Sequence, residues 1–118
     1  MSLRWRQEEY ERYLRRGSAA PISEGVWQSA VMRLAKDAGW TFAYHTYRST
    51  KSMGGFPDLI LCHREPGHVC YAIELKTDTG IVSHAQAAWL EALGSCTGIV
   101  ADVWRPAMLQ EIAARLRS

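Results

Sequence analysis

No apolar run in this 118-residue chain approaches the ~20 residues that a membrane-spanning helix needs, which argues against an integral helical membrane protein. The N-terminal stretch is charged and aromatic and has no apolar h-region, so no signal peptide is expected. Cysteine is scarce: Cys62, Cys70 and Cys96 are odd in number and lack a framework spacing. That excludes a disulfide-stapled scaffold and points to a reducing compartment. Neither sign of charge dominates, because 14 Lys and Arg stand against 12 Asp and Glu for a net +2. Overall charge is therefore weak evidence for a polyanionic partner. There is no internal repeat and no low-complexity tract. Gly54-Gly55 is not a phosphate loop, since the lysine and following helix that such a loop needs are missing. No Ser-His-Asp or Cys-His arrangement of comparable quality is present.

What is there reads as one domain with a real core, preceded by an arm. The arm covers 1–22 and is expected to be helical from Leu3 to about Arg16, ending at Gly17-Ser-Ala-Ala-Pro21. It holds Arg4, Arg6, Arg12, Arg15 and Arg16 against Glu8, Glu9 and Glu11, so the remaining domain, 23–118, is near neutral. Ser23 is a suitable N-cap for a helix to about Ala38, with Val26, Trp27, Ala30, Val31, Leu34 and Ala35 at helical spacing and Gly39 as its stop. Trp40 to Tyr47 alternates as a strand, and Arg48 to Gly55 is a polar, basic loop. Strands are expected at Gly55–Cys62 and Val69–Lys76, apolar enough for a sheet covered on both sides, with a Pro66-Gly67 turn between them. Ser83 begins a helix through Leu93, Gly98 to Trp104 is a fourth strand, and Pro106 opens a terminal helix at its first position. The fold class is thus α/β: a helix, a three-stranded antiparallel meander, a helix and a strand.

The hairpin carries the chemistry. Folding about Pro66 sets Asp58 opposite Glu74, with Cβ atoms ~5 Å apart on one face. Lys76 shares that face, two residues beyond Glu74. Two anions so placed repel, and a hard divalent cation with oxygen ligands relieves the repulsion. Carboxylates that hold Mg²⁺ or Mn²⁺ beside an ammonium suit hydrolysis of a phosphodiester. Each residue also has a plainer explanation. Glu24 favours a helix N-terminus through the macrodipole, although it lies on one face with Gln28. Gln86 completes a capping box with Ser83. Asp58 could merely open a strand after Pro57, and Lys76 could merely pair with Glu74. Cys62-His63 and His68-x-Cys70 admit a zinc knuckle, but the spacing is not a standard one and neighbouring strand residues face opposite ways. Buried free thiols are the favoured reading.

Gly55-Phe-Pro-Asp58-Leu, Glu74-Leu-Lys76 and Gln86-x-x-Trp89 together resemble the PD-(D/E)XK nuclease superfamily. More narrowly, they resemble the stand-alone VRR-NUC (virus-type replication-repair nuclease) domains of phages and bacteria. The likeness runs from about Ser23 to Leu116 and takes in Ser23-Glu24, Gln28, His45-Thr-Tyr-Arg48 and Trp104-Arg-Pro106. It implies a restriction-endonuclease-like core and metal-dependent cleavage of DNA, with branched, flapped or junction DNA as expected substrates. By position it implies Asp58, Glu74, the Leu75 carbonyl and Glu24 as metal ligands, Lys76 as catalytic lysine, and Asp58, Glu74, Glu24 and Gln86 as the other catalytic residues. It further implies a homodimer at work in replication or repair in the cytoplasm of a bacterium or phage-infected host. His45, Arg48 and Lys51, with Arg12, Arg15 and Arg16 of the arm, are the expected DNA contacts. The competing readings are a non-catalytic DNA-binding subunit using that basic surface, and an interaction module with no nucleic-acid role.

Overall fold

Ser23 stops the chain in an extended conformation, and its side chain accepts a hydrogen bond from the Val26 N–H at 3.2 Å. Helix α1 (Glu24–Asp37) starts there, as the capping rule requires. At its far end the Gly39 N–H donates to Lys36 O and the Trp40 N–H to Ala35 O, a Schellman closure with Gly39 at φ +97°. A second constraint keeps Gly39 a glycine, because a Cβ there would lie 2.6 Å from His63 Nε2. The computed structural model describes residues 22–46 and 54–118. The expected helical arm, and most of the basic loop that follows the first strand, lie outside the described residues.

After α1 come β1 (Phe42–His45), β2 (Leu59–Cys62), β3 (Cys70–Leu75), α2 (His84–Gly94) and β4 (Ile99–Trp104). A 3-10 turn (Pro106–Met108) and α3 (Leu109–Arg117) complete the chain. The sheet order is β1-β2-β3-β4, with β1, β2 and β3 antiparallel. β4 runs parallel to β3, and α2 makes the crossover that a parallel pair needs. One face of the sheet, carrying Leu59, Leu61, Tyr71, Ile73, Leu75 and Trp104, closes on Trp27, Val31, Ile112 and Leu116 of α1 and α3. Two buried indoles find partners there: Trp27 Nε1 donates to Trp104 O at 3.0 Å and Trp40 Nε1 to Leu116 O at 2.8 Å.

The α/β architecture and element order follow the sequence reading, with three differences. The strands are shorter than expected, most of all Gly55–Cys62, which is a strand only from Leu59. Gly55 has φ +94°, outside the strand region, and the chain before Leu59 is a docked loop. The first strand likewise starts at Phe42 and ends at His45. Pro106 opens a 3-10 turn instead of an α-helix, and no side chain caps it. Finally, the sheet is covered on both sides only over β3 and β4. A helix with its side chains is ~10–12 Å across and strands are ~4.8 Å apart, so α2 alone shields about two strands. α2 packs on β3 and β4, and among the described residues no element covers the outer face of β1.

Candidate active site and metal centre

The loop before β2 is built on α2. A Cβ at Gly55 would stand 2.6 Å from the Ala85 carbonyl carbon, so the backbone passes directly against the first turn of that helix. Phe56 next meets Trp89 edge to face, with ring centroids 5.1 Å apart, and Pro57 is fully buried. Asp58 is thereby delivered to the start of β2. The Leu59↔Ile73 register, extended by one residue, sets Asp58 across from Glu74. Because the Cys70 N–H donates to Gly98 O, even-numbered residues of β3 direct their backbone polar groups toward β4. The 58/74 position is therefore a non-hydrogen-bonded pair, the closest kind, with Cα atoms ~4.5 Å apart. The Leu75 N–H points the other way, past the end of β2. There Asp58 Oδ2 accepts it at 2.9 Å, standing in for the missing ladder partner. The Leu75 carbonyl emerges on the same edge as its N–H, as strand geometry dictates.

Glu74 is 1% exposed. Its Oε2 accepts from Gln86 Nε2 at 2.8 Å and pairs with Lys76 Nζ at 3.4 Å. Its Oε1 is buried and meets no donor among the described residues. Burial is the main cause that pushes the Glu74 carboxyl up to about 7, the Asp58 charge adds to it, and Lys76 opposes it. Gln86 has two tasks. Its Oε1 accepts from the Ser83 N–H at 2.9 Å, while Ser83 Oγ accepts from the Gln86 N–H at 3.1 Å, which completes the capping box. With Oε1 committed to the cap, Nε2 is turned toward Glu74. The structural and the site explanations of this glutamine hold together.

The donor set is all oxygen: the Asp58 carboxylate, the unpartnered Oε1 of Glu74 and the edge carbonyl of Leu75. That set fits Mg²⁺ or Mn²⁺, and the orphaned buried oxygen is what a cation would satisfy. Glu24 is exposed in the first turn of α1, whose buried stripe faces the core. Among the described residues no three His, Cys, Asp or Glu side chains converge on one point. His45 pairs with Leu59 across β1 and β2, on the face away from Glu74. Arg48, Lys51, Arg12, Arg15 and Arg16 lie outside the described residues. The cysteines and histidines separate as the alternation predicts. Cys62 Sγ and Cys70 Sγ are 3.8 Å apart, whereas His63 stacks on His68 at 3.8 Å against Trp40. Burial pushes the Cys70 thiol up to about 11.

One positioning group escaped the sequence reading. Arg105 donates through Nη1 to Thr77 O and Gly80 O, both at 2.7 Å, and so ties the turn after Lys76 to the end of β4. Its only sequence signal was its place between Trp104 and Pro106.

No described helix is long and apolar enough to cross a membrane. The VRR-NUC domain model matches residues 4–105, reaching back into the arm that the motifs left uncovered. A solved structure described as a VRR-NUC domain protein shares the fold with a TM-score of 0.61 at 20% identity, over 82% of this chain and 92% of its own. No curated protein matches the sequence. With the family model spanning most of its length and the Asp58, Glu74 and Lys76 side chains gathered at one strand end, the chain belongs to the VRR-NUC family of nuclease-type domains.

Proposed function

We propose that this protein is a Mg²⁺- or Mn²⁺-dependent endonuclease that hydrolyses DNA phosphodiester bonds, with branched, flapped or junction DNA as its substrates. The observation that carries this reading is the buried Glu74 Oε1, which has no donor although it lies beside Asp58 and Lys76. Two facing carboxylates repel each other, and a cation between them relieves that cost. Asp58, Glu74 and the Leu75 carbonyl would hold the metal, which when bound lowers the pKa of a water and draws charge from the phosphate. Lys76 is 17% exposed on its side chain and reaches past Glu74 to the surface, where its ammonium can meet a phosphate oxygen or orient the nucleophile. Gln86 is a positioning residue, acting through Glu74. A homodimer acting in replication or repair is the expected context, and it rests on the family likeness.

The test is nicking of supercoiled plasmid and cleavage of junction and flap oligonucleotides with Mn²⁺. The wild type is expected to cut, and Lys76→Ala and Asp58→Ala to lose at least about a hundredfold in rate, the scale of one electrostatic catalytic group. Cleavage undiminished in both variants would defeat the proposal. Salt-sensitive binding without cleavage under any divalent ion would instead favour a non-catalytic DNA-binding subunit.

A further inference from the structure

Of the large hydrophobic side chains among the described residues, few are exposed, and the two aromatic ones are neighbours. Phe42 is 68% and Tyr44 62% exposed. They alternate on edge strand β1, so their Cα atoms are ~7 Å apart and both side chains leave the same face. That face is the face of the site. Phe42 pairs with Cys62 and Tyr44 with Ile60, and residues 62, 60 and 58 step along one face to Asp58. Tyr44 is thus a diagonal neighbour of Asp58, ~7–8 Å away. The other described aromatic rings are occupied: Trp27, Trp40, Tyr71 and Trp104 are buried, and Phe56 packs on Trp89.

We infer that Phe42 and Tyr44 form a stacking platform for unpaired nucleobases next to the strand being cut. This rests on the nuclease reading and narrows its substrate to DNA with an unpaired segment at the site. A paired duplex keeps its base faces inside and offers such rings only sugar and phosphate. An unpaired strand offers π-faces, and aromatic side chains beside a cation are how such strands are held. Lys76 lies on the same face, two strands over and four residues beyond the Tyr44 register, ~16 Å away between Cα atoms, so the ammonium and the rings would meet successive parts of one strand. A second copy of the chain is a poorer occupant. The two rings expose on the order of 250–300 Å² together, against ~800 Å² per partner for a stable interface.

The test uses metal-free protein with EDTA, so that nothing is cut. A 2-aminopurine base is placed either in the unpaired arm of a flap oligonucleotide, beside the junction, or within a duplex of the same length. Wild-type protein is expected to change the probe's emission in the flap by stacking. In Phe42→Ala/Tyr44→Ala that change disappears, and affinity for the flap falls about 10- to 100-fold, at least tenfold more than affinity for the duplex. Phe42→Leu/Tyr44→Leu keeps apolar volume and guards against misfolding, which circular dichroism checks. It should lose the emission change as well. Equal losses on flap and duplex, or an unaltered probe signal in either variant, would overturn the proposal. So would a change of sedimentation coefficient in the variants, since the face would then join copies of the chain. Absence of Mn²⁺ cleavage with stacking intact would defeat the catalytic reading and leave this one standing.

Discussion

Gln86 Nε2 lies 2.8 Å from Glu74 Oε2, and the same amide's oxygen holds the Ser83 N–H that opens α2. One side chain thus joins a helix cap to a buried carboxylate on the neighbouring strand. Gln86→Ala removes both bonds. Ser83 Oγ still caps the helix, and the lost bond to the Ser83 N–H costs about 0.5–1.5 kcal/mol. The lost donor leaves the charged Glu74 carboxylate one hydrogen bond poorer, which favours its protonated form. Urea denaturation should show the first effect. Calorimetric titration with Mn²⁺ across pH should show the second, as an affinity curve displaced to higher pH. A purely capping residue would leave that curve in place.

Glu74 should make the metal-free protein less stable as pH rises. Its carboxyl is raised from 4.5 to about 7 on folding, so the folded state holds the proton more tightly than the unfolded chain. The stability it contributes is complete below about 4.5 and is lost as pH rises through about 7, with a flat profile above. Glu74→Gln cannot titrate and should erase this part of the slope. Unfolding in EDTA at pH 5, 6 and 8, wild type against variant, reads the difference directly. A slope identical in both proteins would assign it to other groups.

Metal binding should run against the same proton. Only the charged Glu74 binds a cation, so Mn²⁺ affinity is expected to rise about tenfold per pH unit below the carboxyl's value of about 7 and to level off above it. In Glu74→Gln, Mn²⁺ should no longer raise the melting temperature at any pH.

Asp58 has two duties that a conservative change can separate. Its Oδ2 accepts the Leu75 N–H at 2.9 Å, a bond that a neutral amide oxygen can also accept. Asp58→Asn should therefore hold metal-free stability within about 1 kcal/mol while weakening Mn²⁺ binding. Asp58→Ala leaves the Leu75 N–H without this acceptor and is expected to cost about 1–3 kcal/mol besides. Thermal melts with and without Mn²⁺ distinguish the two variants.

Gly55→Ala should be harmful at a distance from any charge. The residue sits at φ +94°, and the new Cβ would meet the Ala85 carbonyl carbon at 2.6 Å. The backbone conformation alone costs about 1–2 kcal/mol. Relief of the clash must move the loop off α2, taking Phe56 from Trp89 and Asp58 from Leu75. Both melting temperature and nicking rate are expected to fall. Retention of full nicking with lowered stability would show that the loop can shift without disturbing Asp58.

Much of this was legible because it is written locally. Ser23 and Ser83 announce their helices by short side chains that reach their own backbone three residues on. Pro66-Gly67 sets the turn, and once the turn is set the period of the strands carries Asp58 to Glu74 and Cys62 to Cys70. Glu24 shows the limit of such reading. A helix start predicts an acid there, and neither propensity nor periodicity says whether that acid reaches the neighbouring hairpin.

The chain's own order of residues determined the elements, the hairpin register and the pairing of two acids with a lysine, since each depends on contacts a few residues apart or on strict alternation. Tertiary structure alone decided that Glu74 is sealed from water with one oxygen unmatched, and that Gln86 turns its amide toward it. It also decided that Gly55 runs hard against Ala85 and that α2 stops short of Phe42 and Tyr44. These are matters of how wide a helix is and where it comes to rest on a sheet, and no local pattern of side chains encodes them.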